Sequence, residues 1–189
     1  MTKNKIALIF LAIIATLVFG CRNQEHFIGK EFGGGVIFYL WKDAQGVEHG
    51  LIVDKTNLST SQVWSNIDST LVGTSAQSTW DGLSNSNAIV MQAGHTNSAA
   101  ALCLNSTNGG QSDWYLPSID ELSLLWHNIL DVDKSLSNMG GAMPLLNTSS
   151  YSSSTEVNAT EALVFSFFYG HAYYDGKYLP HAVRAIRAF

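Results

Sequence analysis

The 189-residue chain is poor in cysteine and in charge, and both shortages limit what it can be. It has two cysteines, Cys21 and Cys103, and charged residues make up only 13% of it. If Cys21 is modified, Cys103 has no intrachain disulfide partner, and we expect it to be a buried, unreactive core thiol. Ten basic residues stand against 15 acidic ones. Such an acidic chain binds nucleic acid or anionic polysaccharide poorly through bulk charge, so we expect no nucleic-acid partner.

The sequence also lacks the common patterns of catalysis and metal binding. Its six histidines form no HxxxH or HxH pattern, and no GxSxG segment marks a nucleophilic serine. The glycines at 33–35 precede a predicted strand, whereas a phosphate-binding loop opens a helix. Asp120 and Glu121 are helix neighbours that point in different directions. We therefore predict no enzyme activity, no metal site and no cofactor.

Residues 1–20 have the pattern of a bacterial signal peptide. Two lysines precede an apolar run from Ile6 to Phe19, which is shorter than the roughly 20 residues that a membrane-spanning helix needs. The run ends at Gly20-Cys21, and residues 17–21 resemble the lipobox of bacterial lipoproteins. We therefore predict that Cys21 is acylated and anchors the protein to a lipid bilayer. The alternative is an ordinary secretory signal with an incidental cysteine.

Cleavage before Cys21 would leave a tether, residues 21–28, and one domain, residues 29–189. This mature chain has 169 residues, with 8 basic and 15 acidic side chains, which is enough for one hydrophobic core. Its abundant Ser, Thr, Asn and Gly are typical of secreted β-rich domains. Arg22 rather than Asp follows the cysteine, which by analogy with enteric lipoproteins favours the outer membrane of a Gram-negative bacterium.

Hydrophobic spacing and turn residues predict a mixture of helices and strands. A capping box, Ser118 with Glu121, predicts a helix that ends near Asp131, followed by a loop to residue 150. We expect mostly loop over residues 55–85, with Trp64 and Trp80 packed onto the domain. The other predicted elements are strands at 33–41 and 49–54 around a turn at 43–46, helices at 85–94 and 98–104 (the second capped by Asn97), strands at 151–156, 162–168 and 181–189, and a hairpin turn at 175–176.

An aromatic segment at residues 169–181 is the strongest candidate for a binding surface. It contains four Tyr, two His and one Asp. Tyrosine provides large, rigid and amphipathic contact area at low entropic cost, which is why binding loops are rich in it. The alternative is an aromatic hairpin whose rings cover the core, and the residues favour neither interpretation over the other.

Several short motifs, taken in order, resemble those of the DUF1566 family. They are GGVIFY at 34–39, HGLIV at 49–53, AALC at 100–103, DWYLPSIDEL at 113–122, YSSSTE at 151–156 and VRAIRAF at 183–189. The family includes the C-terminal domain of the Legionella collagen-like adhesin, and the resemblance covers nearly all of residues 29–189. The family usually has Trp after the Tyr at position 151, where this chain has Ser152.

The resemblance implies an α+β fold of the C-type-lectin-like kind, with antiparallel hairpin sheets and two main helices. It also implies adhesion and glycan binding rather than catalysis. The adhesin binds sulfated polysaccharides through a basic trimer, but this chain is acidic and has no collagen repeat, so that ligand class does not carry over. Formylglycine-generating enzymes have a related fold, but their activity needs two active-site cysteines.

Some lipoproteins with this kind of domain are targets of diversity-generating retroelements, which rewrite surface codons near the C-terminus. The favoured residues are Asn, Tyr, Ser, His, Asp and Ala. This resemblance raises the hypothesis of a diversified binding surface, which would include Ser152 as a variable position. The predicted ligand-binding residues are Ser152, Asn158, Tyr169, His171, Tyr173, Tyr174, Asp175, Tyr178 and His181.

The sequence therefore predicts a surface or envelope lipoprotein that binds an extracellular protein or glycan. The first alternative is a structural envelope lipoprotein without a specific ligand. The second is an enzyme of the formylglycine-generating type, which the lone Cys103 disfavours.

Overall fold

The structure is a computed structural model that describes residues 25–145 and 149–189. The predictions for the signal peptide, for acylation of Cys21 and for residues 21–24 of the tether fall outside these residues. Within the described part of the chain, no helix has the length and apolar character needed to cross a bilayer.

The first sheet has four antiparallel strands in the order β1-β2-β3-β9: β1 (Glu31–Phe32), β2 (Gly35–Lys42), β3 (Glu48–Asp54) and β9 (Ile186–Ala188). The predicted turn between β2 and β3 is confirmed. The Gly46 amide donates to the carbonyl oxygen of Asp43 at 3.0 Å, and Gly46 has φ 81°, a conformation that glycine adopts without steric cost.

The second sheet has five strands in the order β4-β8-β5-β6-β7: β4 (Ser59–Gln62), β5 (Ser150–Glu156), β6 (Glu161–Ser166), β7 (His171–Gly176) and β8 (His181–Val183). Its pairs are antiparallel except β5 with β8. β4 lies in the segment predicted as loop. β7 has β6 as its only neighbour, so it forms one edge of the sheet.

The C-terminal segment departs from the prediction at two points. The hairpin turn lies at residues 167–170, between β6 and β7, and not at 175–176. Residues 181–189 form two strands in different sheets because buried Arg184 interrupts them. Its guanidinium donates to the carbonyl oxygens of Asp54, Lys55 and Met143, which ties the end of β8 to the first sheet.

The described residues form four α-helices rather than two main ones: α1 (Gly82–Val90), α2 (Ala99–Leu104), α3 (Ile119–His127) and α4 (Ile129–Ser137). Short 3₁₀ turns occupy Thr74–Ala76 and Asn108–Gly110. The predicted capping box at the start of α3 is confirmed. The loop predicted after Asp131 is wrong, because α4 buries Val132 and Leu136 one helical turn apart.

Two other helix boundaries differ from the predicted ones. α1 begins three residues earlier than expected, because the Asp81 side chain accepts a hydrogen bond from the amide of Ser84 and caps the helix there. Ser98, and not Asn97, caps α2. The predicted α+β class is confirmed.

Two hydrophobic clusters form the core, one on each side of the β2–β3 hairpin. One joins this hairpin to α3, α4 and one face of the second sheet. The other contains Ile37, Ile52, Trp64 and Cys103. The prediction that Cys103 is buried is confirmed. Burial also raises the pKa of its thiol well above the usual value, which disfavours the reactive thiolate. The prediction for Trp80 is wrong, since its side chain is 73% exposed whereas Trp64 is 3% exposed.

Candidate functional site

The two faces of the second sheet have different surroundings. Tyr151 and Phe165 point to one face, which packs into the core. Residues on adjacent positions point the other way, so His171, Tyr173 and Asp175 of β7 share the opposite face. We call this opposite face the outer face. One end of the outer face is covered by another segment of the chain, and the other end is exposed. The exposed end is the candidate site.

The closed end of the outer face, defined by Glu156, Lys177 and Trp64, is covered by the segment around Trp64. Lys177 Nζ lies 2.7 Å from Glu156 Oε1, and it also donates to the carbonyl oxygens of Thr70 and Ala159. The same ammonium lies 4.8 Å from the ring centroid of Trp64. Both charged side chains are fully buried. Since its three donor contacts and the indole face surround the ammonium, Lys177 has a structural role.

Glu156 is satisfied in the same way. Its two carboxylate oxygens accept hydrogen bonds from the amides of Val72 and Gly73, each at 2.8 Å. Trp64 adds a hydrogen bond from its indole N–H to the carbonyl oxygen of Ser153. The closed end is therefore a completed network that holds the loop over residues 63–73 against the sheet.

The open end of the outer face contains a cavity of about 320 Å³, lined by Ser150, Ser166, Tyr169, His171 and Tyr173. The Tyr173 hydroxyl donates to Ser150 Oγ at 2.8 Å, which holds the phenol ring across β6. Tyr169 is 72% exposed, and His171 is exposed as well. Aromatic faces and hydroxyl groups that converge on one concave surface are typical of small-ligand sites.

Asp175 and His181 lie between the two ends. Asp175 Oδ2 is 3.1 Å from His181 Nε2, so the pair links β7 to β8 across the outer face. Burial lowers the pKa of His181 below its usual value, and the Asp175 carboxylate opposes only part of that shift. Burial therefore favours the neutral form of this imidazole.

The turn that carries Tyr169 is held rigidly. Gly170 has φ 70°, and a Cβ atom at this position would lie 2.3 Å from the Trp126 ring. The Trp126 indole N–H donates to the carbonyl oxygen of Phe167 at 3.1 Å. Glycine is required here by both the backbone conformation and the close approach of the indole. Contacts with Trp126 of α3 therefore fix the position of the turn that forms this wall of the cavity.

The structure brings five of the nine predicted ligand-binding residues together. Two of the other four, Ser152 and Asn158, do not line the cavity. Ser152 shares the outer face but is only 2% exposed, and its Oγ has no hydrogen-bond partner among the described residues. Asn158 closes the β5–β6 turn, where its Oδ1 accepts from the amides of Thr160 and Glu161. The five residues that come together are Tyr169, His171, Tyr173, Asp175 and His181.

Tyr174 and Tyr178 are exposed but lie elsewhere. Tyr174 alternates with Tyr173 along β7 and points away from the outer face. Tyr178 packs beside Gly176, past the end of β7. The sequence analysis missed Ser150 and Ser166, which line the cavity. Alternation along β5 could have indicated Ser150, because it lies one position before buried Tyr151.

No Lys or Arg side chain lines the cavity, so it lacks the permanent positive charge that attracts a sulfated polymer. Within residues 25–145 and 149–189, no group of three or more His, Cys, Asp or Glu side chains is placed to hold a metal ion. The arrangement supports reversible binding through aromatic contact and neutral hydrogen bonds.

A search of curated proteins finds no match to this chain. A comparison with protein families matches residues 53–187 to the Lcl C-terminal domain. The match covers well over half of the chain, including the whole of the second sheet. It confirms the resemblance drawn from the sequence motifs, and the chain therefore belongs to the Lcl C-terminal domain family.

Proposed function

We propose that this protein is a membrane-anchored lipoprotein whose domain binds an extracellular protein or glycan at the open end of the outer face. The family is adhesion-related and is not a known enzyme family. The observation that carries the proposal is the cavity of about 320 Å³ with exposed Tyr169 and His171 at its rim. An aromatic rim costs little side-chain entropy to order on binding, so it favours recognition.

We infer that the ligand contacts the residues that line the cavity. Tyr169 and His171 supply contact area, and the hydroxyls of Tyr173, Ser150 and Ser166 supply hydrogen-bonding groups. Asp175 and His181 position the neighbouring part of the sheet. Because no Lys, Arg, Asp or Glu side chain lines the cavity, we expect a neutral glycan or an uncharged protein segment rather than a polyanion.

The test is binding of the full chain, purified in a nonionic detergent, to an array of glycans and extracellular matrix proteins. We expect the Tyr169→Ala/His171→Ala double variant to lose at least about tenfold in affinity for any ligand found, since truncated aromatic contacts at interface centres cost 2 kcal/mol or more. The matched control is Tyr174→Ala, which removes an equally exposed ring from the other face. Equal loss in both variants would place the ligand elsewhere.

The lipid anchor is a separate part of the proposal and is tested separately. The cysteine at the end of the apolar run supports it. In cells fed labelled palmitate, we expect the wild-type chain to incorporate label and to enter the detergent phase on phase separation. The Cys21→Ser variant should do neither. Label that persists in the variant would contradict acylation at this residue.

A diversified binding surface is supported by the residue types on the outer face, where Tyr, His, Asp and Ser predominate. The test is to sequence the 3′ end of the gene and its flank in many cells of the source population. We expect a near-copy of the final codons that differs at adenines, next to a reverse transcriptase gene. A fixed 3′ end without such a copy would remove the hypothesis and leave a binder with a single ligand.

A further inference from the structure

A second concave surface lies between the β2–β3 hairpin and the start of α3. This groove has a volume of about 310 Å³. Its walls are mostly aromatic and aliphatic, and its two charged residues are both acidic. The lining includes Tyr39, Trp41, Trp80, Asp120, Glu121 and Leu124.

Trp80 is exposed, but the backbone turn that carries it is held by hydrogen bonds. Its side chain is 73% exposed, so it gives little to the stability of the fold. The backbone around it is nevertheless held on both sides. The Ser78 Oγ accepts from the amide of Asp81 at 3.0 Å, and the Thr79 carbonyl oxygen accepts from the amide of Asp120 at 2.8 Å. A large aromatic ring on a fixed turn is a preorganised contact surface.

The opposite wall is equally fixed. Tyr39 and Trp41 alternate along β2 onto the same side of the hairpin, and their rings stack with centroids 5.7 Å apart. Trp41 also stacks on His49 of β3, with centroids 5.3 Å apart. Trp41 is 39% exposed. Three aromatic side chains therefore line one groove from two different elements.

The charge in the groove is negative. The carboxylate of Asp120 is exposed, and it makes no hydrogen bond or ion pair with any residue that the structure describes. Glu121 is buried and already accepts from the Tyr115 hydroxyl and the Ser118 amide. No Lys or Arg lines the groove. The Asp120 carboxylate alone exceeds the roughly half positive charge that the start of α3 contributes.

Aromatic faces combined with an unpaired carboxylate match one class of ligand. A cation placed over an indole is attracted by the electrons of the ring, and quaternary ammonium groups are recognised in this way. We propose that the groove binds a small organic cation of the alkylammonium type, over Trp80 and Trp41 and paired with Asp120. This site is independent of the cavity beside Tyr169.

The test measures choline binding to the full chain by equilibrium dialysis in a nonionic detergent. 3,3-Dimethylbutan-1-ol, the uncharged isostere of choline, serves as competitor. We expect saturable choline binding and about fivefold or more weaker binding of the isostere, because the shapes match and only the charge differs. Equal affinities would show an apolar groove without cation selectivity and would overturn the proposal. Absence of saturable choline binding would also overturn it.

Two variants locate the binding. We expect Trp80→Ala and Asp120→Asn each to weaken choline binding by about fivefold or more, with unchanged thermal stability because both side chains are exposed. The matched controls are Leu130→Ala and Asp131→Asn, which change an exposed apolar and an exposed acidic side chain on α4, outside the groove. Binding that survives both groove variants would place the cation at another site and overturn the assignment.

Discussion

The two ends of the outer face use the same kinds of residue for opposite purposes. At the closed end, Lys177 and Glu156 are paired out of contact with water beneath Trp64, and their polar contacts are satisfied internally. At the open end, Tyr169 and His171 are exposed around a cavity. Polar and aromatic residues stabilise the fold where they are covered, and they remain available to a ligand where they are not.

The largest expected effect comes from breaking the closed end. Lys177→Met should lower the free energy of unfolding by about 3–5 kcal/mol, because it leaves the Glu156 carboxylate buried without its cation. Urea unfolding of the full chain in detergent measures this loss.

The Lys177→Met/Glu156→Gln double variant is the matched control. It should recover part of the lost stability, since no unpaired charge remains. Two single variants whose losses simply add would contradict the assignment of the pair as one network.

The next effect concerns the turn beneath the open end. Gly170→Ala places a Cβ atom against Trp126 in a left-handed conformation and should cost about 2–5 kcal/mol. Gly141→Ala is the control, because Gly141 has φ 76° but nothing within 4 Å of the added atom, so only about 1–2 kcal/mol of strain remains. Thermal unfolding compares the two. Equal losses would show that contact with Trp126 is unimportant.

A smaller effect is expected from the hydroxyl at the cavity wall. Tyr173→Phe removes the hydrogen bond to Ser150 and should cost about 1 kcal/mol. Tyr178→Phe, at an exposed ring, should stay within about 0.5 kcal/mol of wild type. If both variants unfold at the same urea concentration, the Tyr173 hydroxyl does not position the wall.

The smallest expected effect is the pH dependence of stability that comes from His181, which lies between the two ends of the outer face. Burial lowers the pKa of His181 in the folded state, so the unfolded chain takes up a proton first as pH falls. The stability that neutral His181 provides is complete above its ordinary pKa of 6.5 and is lost as pH falls from there towards the lowered value. Melting temperatures from pH 8 to 5 should fall more steeply for wild type than for His181→Gln. Parallel curves would contradict a lowered pKa for His181 in the folded state.

The sequence predicted correctly those elements that depend on residues close together in the chain. The capping box of α3 and the turn after Asp43 depend on residues within four positions of each other, so the pattern determines them. α4 was missed because only Val132 and Leu136 are buried on it, too few to show a helical period. The break at Arg184 was missed because its partners lie about 130 and 41 residues away.

The candidate site was predicted in part for the same reason. Residues 169–173 are close in sequence, and their aromatic content identified them. Ser150 and Ser166 come from two other strands, and only the pairing register places them opposite His171. Trp64 and Trp80 are similar in sequence context, yet one is buried beside Lys177 and the other is exposed on a fixed turn. Neither the burial of Trp64 nor the exposure of Trp80 is determined by its neighbours in the chain.

The sequence by itself determined the family, the α+β class, the acidic balance and the burial of Cys103, because composition, short motifs and local periodicity are properties of neighbouring residues. Only the tertiary structure decided which half of the outer face is closed and which is open. That choice depends on contacts across long stretches of chain, such as Lys177 with Thr70 and Glu156 with Val72. A residue is buried when other parts of the chain pack against it, and its neighbours in sequence do not specify which parts these are.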